Sequence, residues 1–345
     1  MAQSIKKKYD HIIIGTGQAV GVLLKELIST GEKIAVVEGN KVGGSCVNYG
    51  CTPTKTLVAS AEAIHKCRQG DEYGFSLGQL NVDYGRIRER MNDLRNESNN
   101  GLTEWMETTE NVDLIRGYAK FTDKKCIEVE GEIFEGERIY INAGTHPFLP
   151  PIDGIEEVPW MDSEKLLEIE HLPRYLIIVG GGYVGVEFAQ IYRRFGCDVT
   201  LIQSGDQLLK GEDEDIADSI KEILEDEAIQ IHLNARARKV TGSEGSISVE
   251  MEAKGMTETV EGSHLLIATG RRANSKKLEL ENAGVNTDGR GNIEVDDYCR
   301  TNKAGVFALG DINGKGGFTH TAVHDAQVLV DHLYGQGERK ISDRN

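Results

Sequence analysis

Cys46 and Cys51 bracket four residues in GGSCVNYGCTPTK, residues 43–55, and Lys55 follows the second cysteine at one helical turn's spacing. Two thiols this close can trade electrons through a disulfide, clip a metal or fill a core. Zinc needs about four ligands, and this motif supplies only two. A purely structural disulfide is disfavoured in a reducing compartment. Burial as filler stays open. The surroundings favour redox chemistry. CTPTKTLVASAEAIHKC reads as a helix beginning just after Cys51, with Pro53 suited to its first turn. A thiol at a helix N-terminus becomes a better thiolate, and Lys55 adds a cation. Gly43, Gly44 and Gly50 let the backbone approach a ligand surface. The small loop admits a reducible disulfide. Cys67, Cys126, Cys197 and Cys299 are scattered and read as packing or surface residues.

The elements that position this pair come from a long-range similarity. YDHIIIGTGQAVGVLLKELISTGEKIAVVE (9–38) and RYLIIVGGGYVGVEFAQIYRRFGCDVTLIQ (174–203) both read strand, glycine turn, helix, strand. Each opens on an aliphatic run suited to a buried parallel strand. Gly15 to Glu38 and Gly180 to Gln203 are both 23 apart. Glycines in such a turn admit a pyrophosphate, the following helix end offers free N–H groups and positive partial charge, and an acid about 20 residues on bonds ribose. Two such units imply two dinucleotide-binding domains in an α/β fold.

The first turn keeps Gly15 and Gly17 but has Val20 where a third glycine would stand, with Gly21 one place late. The valine is expected to push the helix away slightly. Glu38 fits the ribose role. The second turn, Gly180, Gly182 and Gly185, is complete, and Gln203 holds its ribose position. With no acid there to repel a 2′-phosphate, NADPH is favoured slightly over NADH. Pro147, Pro150 and Pro151 mark a crossover between the domains, and HLLIATGRRANS (264–275) returns the chain to the first. The stretch 84–110 reads as a surface helix with an apolar stripe at Ile87, Met91 and Leu94.

The chain has 345 residues, 39% hydrophobic and 28% charged, room for two full cores. Its net charge of −17 disfavours nucleic acid and anionic membranes as partners. No apolar run reaches the roughly 20 residues of a membrane span, and the start lacks a signal peptide's apolar stretch. A cytoplasmic location is the expectation.

The cysteine motif resembles that of the FAD-dependent pyridine nucleotide–disulfide oxidoreductases, which include glutathione reductase, dihydrolipoamide dehydrogenase and mercuric reductase. Further matches are INAGTHP (141–147), GGGYVGVEFA (180–189), ATGRRAN (268–274) and GVFALGDINGKGGFTHTA (305–322), in family order from about residue 9 onward. GTGQA, CTPTKT and FTHT look most like the mercuric-reductase-like branch. The resemblance implies two Rossmann-like domains with FAD at residues 1–148 and 268–345, and NAD(P) at 149–267. It implies a path from NADPH or NADH through FAD to a Cys46–Cys51 disulfide, and on to a disulfide, metal-ion or other small acceptor. Cys51 becomes the thiol against the flavin ring and Cys46 the thiol that meets substrate. Lys55 and Glu187 match the family's ion pair near flavin N5, Tyr183 a gate over the nicotinamide pocket, and Asp311 the acid bonding the FAD ribitol. Gly44, Ser45, Gly144 and Gly270 fall in its cofactor-contacting motifs. No resident metal is expected. Family members continue into a domain that forms the homodimer and carries a histidine–glutamate acid–base pair. KISDRN stands where that domain would begin, so slow substrate exchange with intact flavin reduction is the expectation. A diaphorase with idle cysteines and a non-catalytic nucleotide-binding module are the competing readings.

Overall fold

The computed structural model describes residues 6–344. The chain forms two compact units. The first takes the residues up to Thr52, Arg95–His146 and those from Arg272 onward; the second takes Pro53–Leu94 and Pro147–Arg271.

The first unit is built on a seven-stranded sheet. Val112–Arg116, Ile34–Glu38, Lys7–Ile14 and Glu132–Ile141 run parallel in that spatial order, and Val306–Ala308 pairs parallel with Glu132–Ile141. Cys126–Val129 and Lys120–Asp123 extend the sheet antiparallel. The run of isoleucines in Lys7–Ile14 serves both faces. Ile12 and Ile14 enter one core, and Ile13 enters the other. On that second face lie the helices Ala19–Ser29 and Thr319–Tyr334, packed against each other.

The second unit holds a five-stranded parallel sheet, ordered Gln230–His232, Asp198–Ile202, Tyr175–Val179, His264–Ile267, Trp160–Met161. A three-stranded antiparallel sheet, Ala235–Ser243, Ser246–Ala253 and Met256–Gly262, shares its core through Val240, Val249 and Met251. Residues 53–94 belong here because Tyr84 packs on Tyr192 and Phe195, with the two tyrosine hydroxyls 3.1 Å apart.

The helix expected over 84–110 spans Tyr84–Thr108, but its buried row differs from the expected stripe. Met91 is buried, whereas Leu94 is 38% exposed and Arg95 only 5%. The Arg95 stem takes the inner place, and its guanidinium reaches the Asn48 carbonyl at 3.4 Å.

Candidate active site

The strand Lys7–Ile14 delivers the chain to Gly15 at φ +93°, where a Cβ would overlap the Asn142 carbonyl oxygen. Only glycine fits both the dihedral and the space. Thr16 ties this turn to the next strand: its N–H and Oγ1 both donate to Glu38 Oε2, at 2.9 and 2.5 Å. Glu38 also accepts from the Asn40 N–H at 2.8 Å. Glu38 stands at the strand end and braces the turn.

Val20 does not behave as an intruder. It is 3% exposed, packs with Leu23 and Leu24, and its N–H bonds the Gly17 carbonyl at 2.9 Å. A Cβ at Gly21 would meet nothing within 4 Å, so that glycine is no displaced third member of the turn.

The cysteine loop lies on this turn. Gly44, at φ +62°, comes so close to Gly17 that a Cβ would stand 2.8 Å from its Cα. Gly43 donates to Thr16 Oγ1 at 2.9 Å. The short helix Gly44–Asn48 carries exposed Ser45 and half-buried Cys46, and the long helix Cys51–Arg68 starts on Cys51 itself. Pro53 sits in that first turn, where its missing N–H costs no helical bond. Buried Asn48 staples the loop, donating to the carbonyls of Val42 at 2.8 Å and Gly44 at 3.0 Å.

Cys46 and Cys51 are both free thiols. Burial pushes the Cys46 pKa up to about 11, and neighbouring Cys51 adds to the rise. Cys51 is exposed. Its Sγ lies 3.2 Å from Thr319 Oγ1, at the first turn of the helix Thr319–Tyr334. The nearby Thr319 hydroxyl opposes the rise at Cys46. Asp311 lies on the turn Gly310–Asn313 and accepts from Thr145 Oγ1 at 3.3 Å. Gly144, at φ +63°, receives the Asn274 N–H on its carbonyl at 3.0 Å.

In the second unit Gly180, at φ +116°, leaves no room for a Cβ against the Ala268 carbonyl, and a Cβ on Gly185 would overlap the Gly180 carbonyl oxygen. Gly182 is the exposed N-cap of the helix Tyr183–Phe195. Gln203 closes the turn with its amide: Oε1 accepts from the Gly181 N–H and Nε2 donates to the Gln207 carbonyl, both at 3.1 Å. The Tyr183 hydroxyl bonds Glu212, and that bond raises the phenol above its ordinary pKa. Gly270, at φ +121°, accepts the Phe148 N–H at 2.9 Å. Lys55 and Glu187, 132 positions apart, form an ion pair.

The family described as pyridine nucleotide-disulphide oxidoreductase matches residues 9–326. The chain belongs to that family. Its members are FAD-containing enzymes that use NAD(P)H. Among curated pyridine nucleotide-disulphide oxidoreductases, the chain is 33% identical to a mercuric reductase of Lysinibacillus sphaericus over 333 residues, covering 96% of this chain and 61% of the relative. It is 36% identical to a probable pyridine nucleotide-disulfide oxidoreductase, RclA, of Escherichia coli (strain K12), covering 98% and 73%. The solved structure of the HOCl-induced flavoprotein disulfide reductase RclA from Escherichia coli superposes with a TM-score of 0.88 at 35% identity, covering 98% of this chain and 74% of that one. The chain thus spans less than two thirds of the mercuric reductase it matches.

The residues of the first unit fit the family's flavin. Gly17 and Gly44 bring the glycine turn and the cysteine loop into close backbone contact just ahead of the 11-residue helix Ala19–Ser29, whose first N–H groups suit a pyrophosphate. Among the described residues, no helix is long and apolar enough to cross a membrane, and no group of three His, Cys, Asp or Glu side chains is placed to hold a metal.

Two site residues escaped the sequence reading. Asn48 lies inside the quoted motif, and an amide in a glycine-rich loop was the signal available. Thr319, 268 positions from Cys51, lies inside the FTHT match, which gave it no role.

Proposed function

We propose that this chain passes two electrons from NAD(P)H through FAD to a Cys46–Cys51 disulfide, and from the dithiol to a small disulfide, metal-ion or other small acceptor. In balance, NAD(P)H, a proton and the disulfide give NAD(P)+ and two thiols. The observation that carries this reading is the loop itself: two free cysteines five positions apart, one opening a helix, held on a glycine turn by Gly44 against Gly17.

Bound FAD would supply the hydride-accepting chemistry. Gly15, Gly17, Gly44 and Ser45 would hold its pyrophosphate side, Glu38 its ribose and Asp311 its ribitol. Residues 1–148 and 268–345 are assigned to FAD and 149–267 to the nicotinamide nucleotide, with Gly180, Gly182, Gly185 and Gln203 at its turn. Tyr183 gates that pocket. Cys51 serves as the thiol nearest the cofactor, with its sulfur beside the Thr319 hydroxyl and its backbone opening a helix. Cys46, held protonated by burial, gives up that proton as its sulfur attacks the acceptor, and the group displaced from the acceptor takes the proton up. Lys55, paired with Glu187, favours the anionic reduced cofactor. The cytoplasm suits this chemistry because it keeps thiols reduced between turnovers.

The decisive experiment is the visible spectrum of the purified chain before and after anaerobic NADPH addition. Bound yellow flavin and a new long-wavelength band are expected, with the band lost in Cys51→Ser. A band that survives the substitution overturns the cysteine assignment. The high pKa of Cys46 favours one second reading, a diaphorase whose cysteines stay idle. Equal turnover with quinones after replacing both cysteines by alanine would establish it.

A further inference from the structure

Asp325, on the helix Thr319–Tyr334, is 1% exposed. Its Oδ2 accepts from the Gly310 N–H and from Asn313 Nδ2, each at 2.8 Å. Gly310 and Asn313 are the two ends of the turn that carries Asp311. The other carboxylate oxygen forms an ion pair with the Arg344 guanidinium. Arg344 is itself directed: Nε donates to His324 Nδ1 at 2.9 Å, and Nη1 to the Lys315 carbonyl at 3.4 Å. Buried Ile341, whose N–H bonds the Asp297 carbonyl at 2.9 Å, fixes the backbone leading to it.

A carboxylate taken out of water costs several kcal/mol unless it is paired and hydrogen-bonded. Asp325 meets both conditions. An ion pair serving only the fold would be free to bond any neighbouring backbone. Here both Oδ2 bonds go to one four-residue turn. Gly310 stands at φ +69° with Ala322 and Asn142 each 3.3 Å from where a Cβ would lie, so the turn has little freedom to move toward the helix. Thr145 holds Asp311 from its own side. Asp311 is thereby the partly exposed member of a turn fixed at both ends.

We propose that Asp325, clamped by Arg344, is a positioning residue for the flavin site: it fixes the Gly310–Asn313 turn so that Asp311 is presented to bound FAD. The inference rests on the reading above that Asp311 bonds the FAD ribitol. Asp325 touches neither cofactor nor substrate and acts through the turn.

The test measures FAD affinity of the deflavinated full chain by fluorescence quenching, for the wild type, D325N, R344M and D311N, with NAD(P)H affinity and thermal unfolding measured alongside. D325N and R344M are each expected to raise the FAD Kd at least tenfold and to change the visible circular dichroism of bound flavin, while NAD(P)H affinity stays within twofold. D311N should weaken FAD at least as much. Wild-type FAD affinity in D325N and R344M, beside a weakened D311N, overturns the positioning role and leaves the FAD reading standing. A D311N that binds FAD like the wild type overturns the FAD reading itself, and the inference with it. Should R344M fail to fold, hydrogen exchange of the Gly310 N–H in D325N decides. Exchange at least tenfold faster there, with Val306–Ala308 unchanged, supports the role; unchanged exchange overturns it.

Discussion

Thr319 Oγ1 lies 3.2 Å from Cys51 Sγ, joining the first turns of two helices far apart in sequence. A hydroxyl in that place is able to donate to the sulfur as it becomes a thiolate in reaction. A hydrogen bond to a charged group is worth roughly 1.5–3 kcal/mol, so removing it should slow alkylation at Cys51 about tenfold or more. Thr319→Val keeps the shape and removes the donor. We expect alkylation of Cys51 in the reduced protein to slow by about that factor, read by peptide mass spectrometry. An unchanged rate would show that the contact is incidental.

The two thiols should differ in their pH dependence. A thiol whose pKa is raised stays protonated until pH approaches that value. With Cys46 near 11, only about one molecule in a thousand carries its thiolate at pH 8, by the ordinary titration relation. Exposed Cys51 should therefore be alkylated first at pH 8, and the Cys46 rate should climb about tenfold per pH unit through pH 10. A Cys46 rate already flat above pH 9 contradicts the burial argument.

Much of this could be read along the chain, for local reasons. Isoleucine runs such as Ile12–Ile14 declare a strand buried on both faces, and Gly15 and Gly180 declare turns because only glycine takes those dihedrals in that space. The helix starting at Cys51 was legible from Pro53. Side-chain choices made by packing were not. Leu94 and Arg95 exchange the expected inside and outside because the Arg95 stem finds an acceptor at Asn48. Gln203, placed by spacing, turns its amide back onto its own turn. Thr319, Asp325 and Arg344 gain their meaning only when separate segments meet.

Two glycines make a matched pair. A Cβ at Gly185 would overlap a backbone carbonyl, whereas at Gly21 it would meet open space on an exposed helix face. Gly185→Ala should cost about 1–3 kcal/mol and weaken NAD(P)H binding. Gly21→Ala should stabilise by about 0.5–1 kcal/mol, because it removes freedom from the unfolded chain. Denaturant melts of both variants check the signs, and a destabilising Gly21→Ala would contradict the open geometry.

Gln203→Glu tests cofactor choice with little structural change. Glutamate keeps the oxygen that accepts from Gly181 and loses only the donor to Gln207. The new charge repels a 2′-phosphate and leaves a ribose hydroxyl able to donate. At an effective dielectric of about 20, two charges about 4 Å apart repel by about 4 kcal/mol. Screening reduces this, so kcat/KM for NADPH should fall at least about tenfold while NADH is spared. Equal losses for both nucleotides would show that the ribose end lies elsewhere.

The Lys55–Glu187 pair separates stability from reactivity. Lys55 is 68% exposed, and pairs at such sites contribute about 0–1 kcal/mol to folding. Glu187→Gln removes the charge and keeps the shape. Its melting temperature should therefore shift by no more than a few degrees. The reaction asks more of Lys55, because charge placed near a reduced cofactor acts where water is excluded. Single-turnover reduction by NAD(P)H, followed at the flavin's visible absorbance, should slow about tenfold or more in Glu187→Gln. Lys55→Met should match it, and the double variant should be no slower than either single one, since each removes the same interaction. Additive losses in the double variant would mean the two side chains act separately, and would end their assignment as one electrostatic unit.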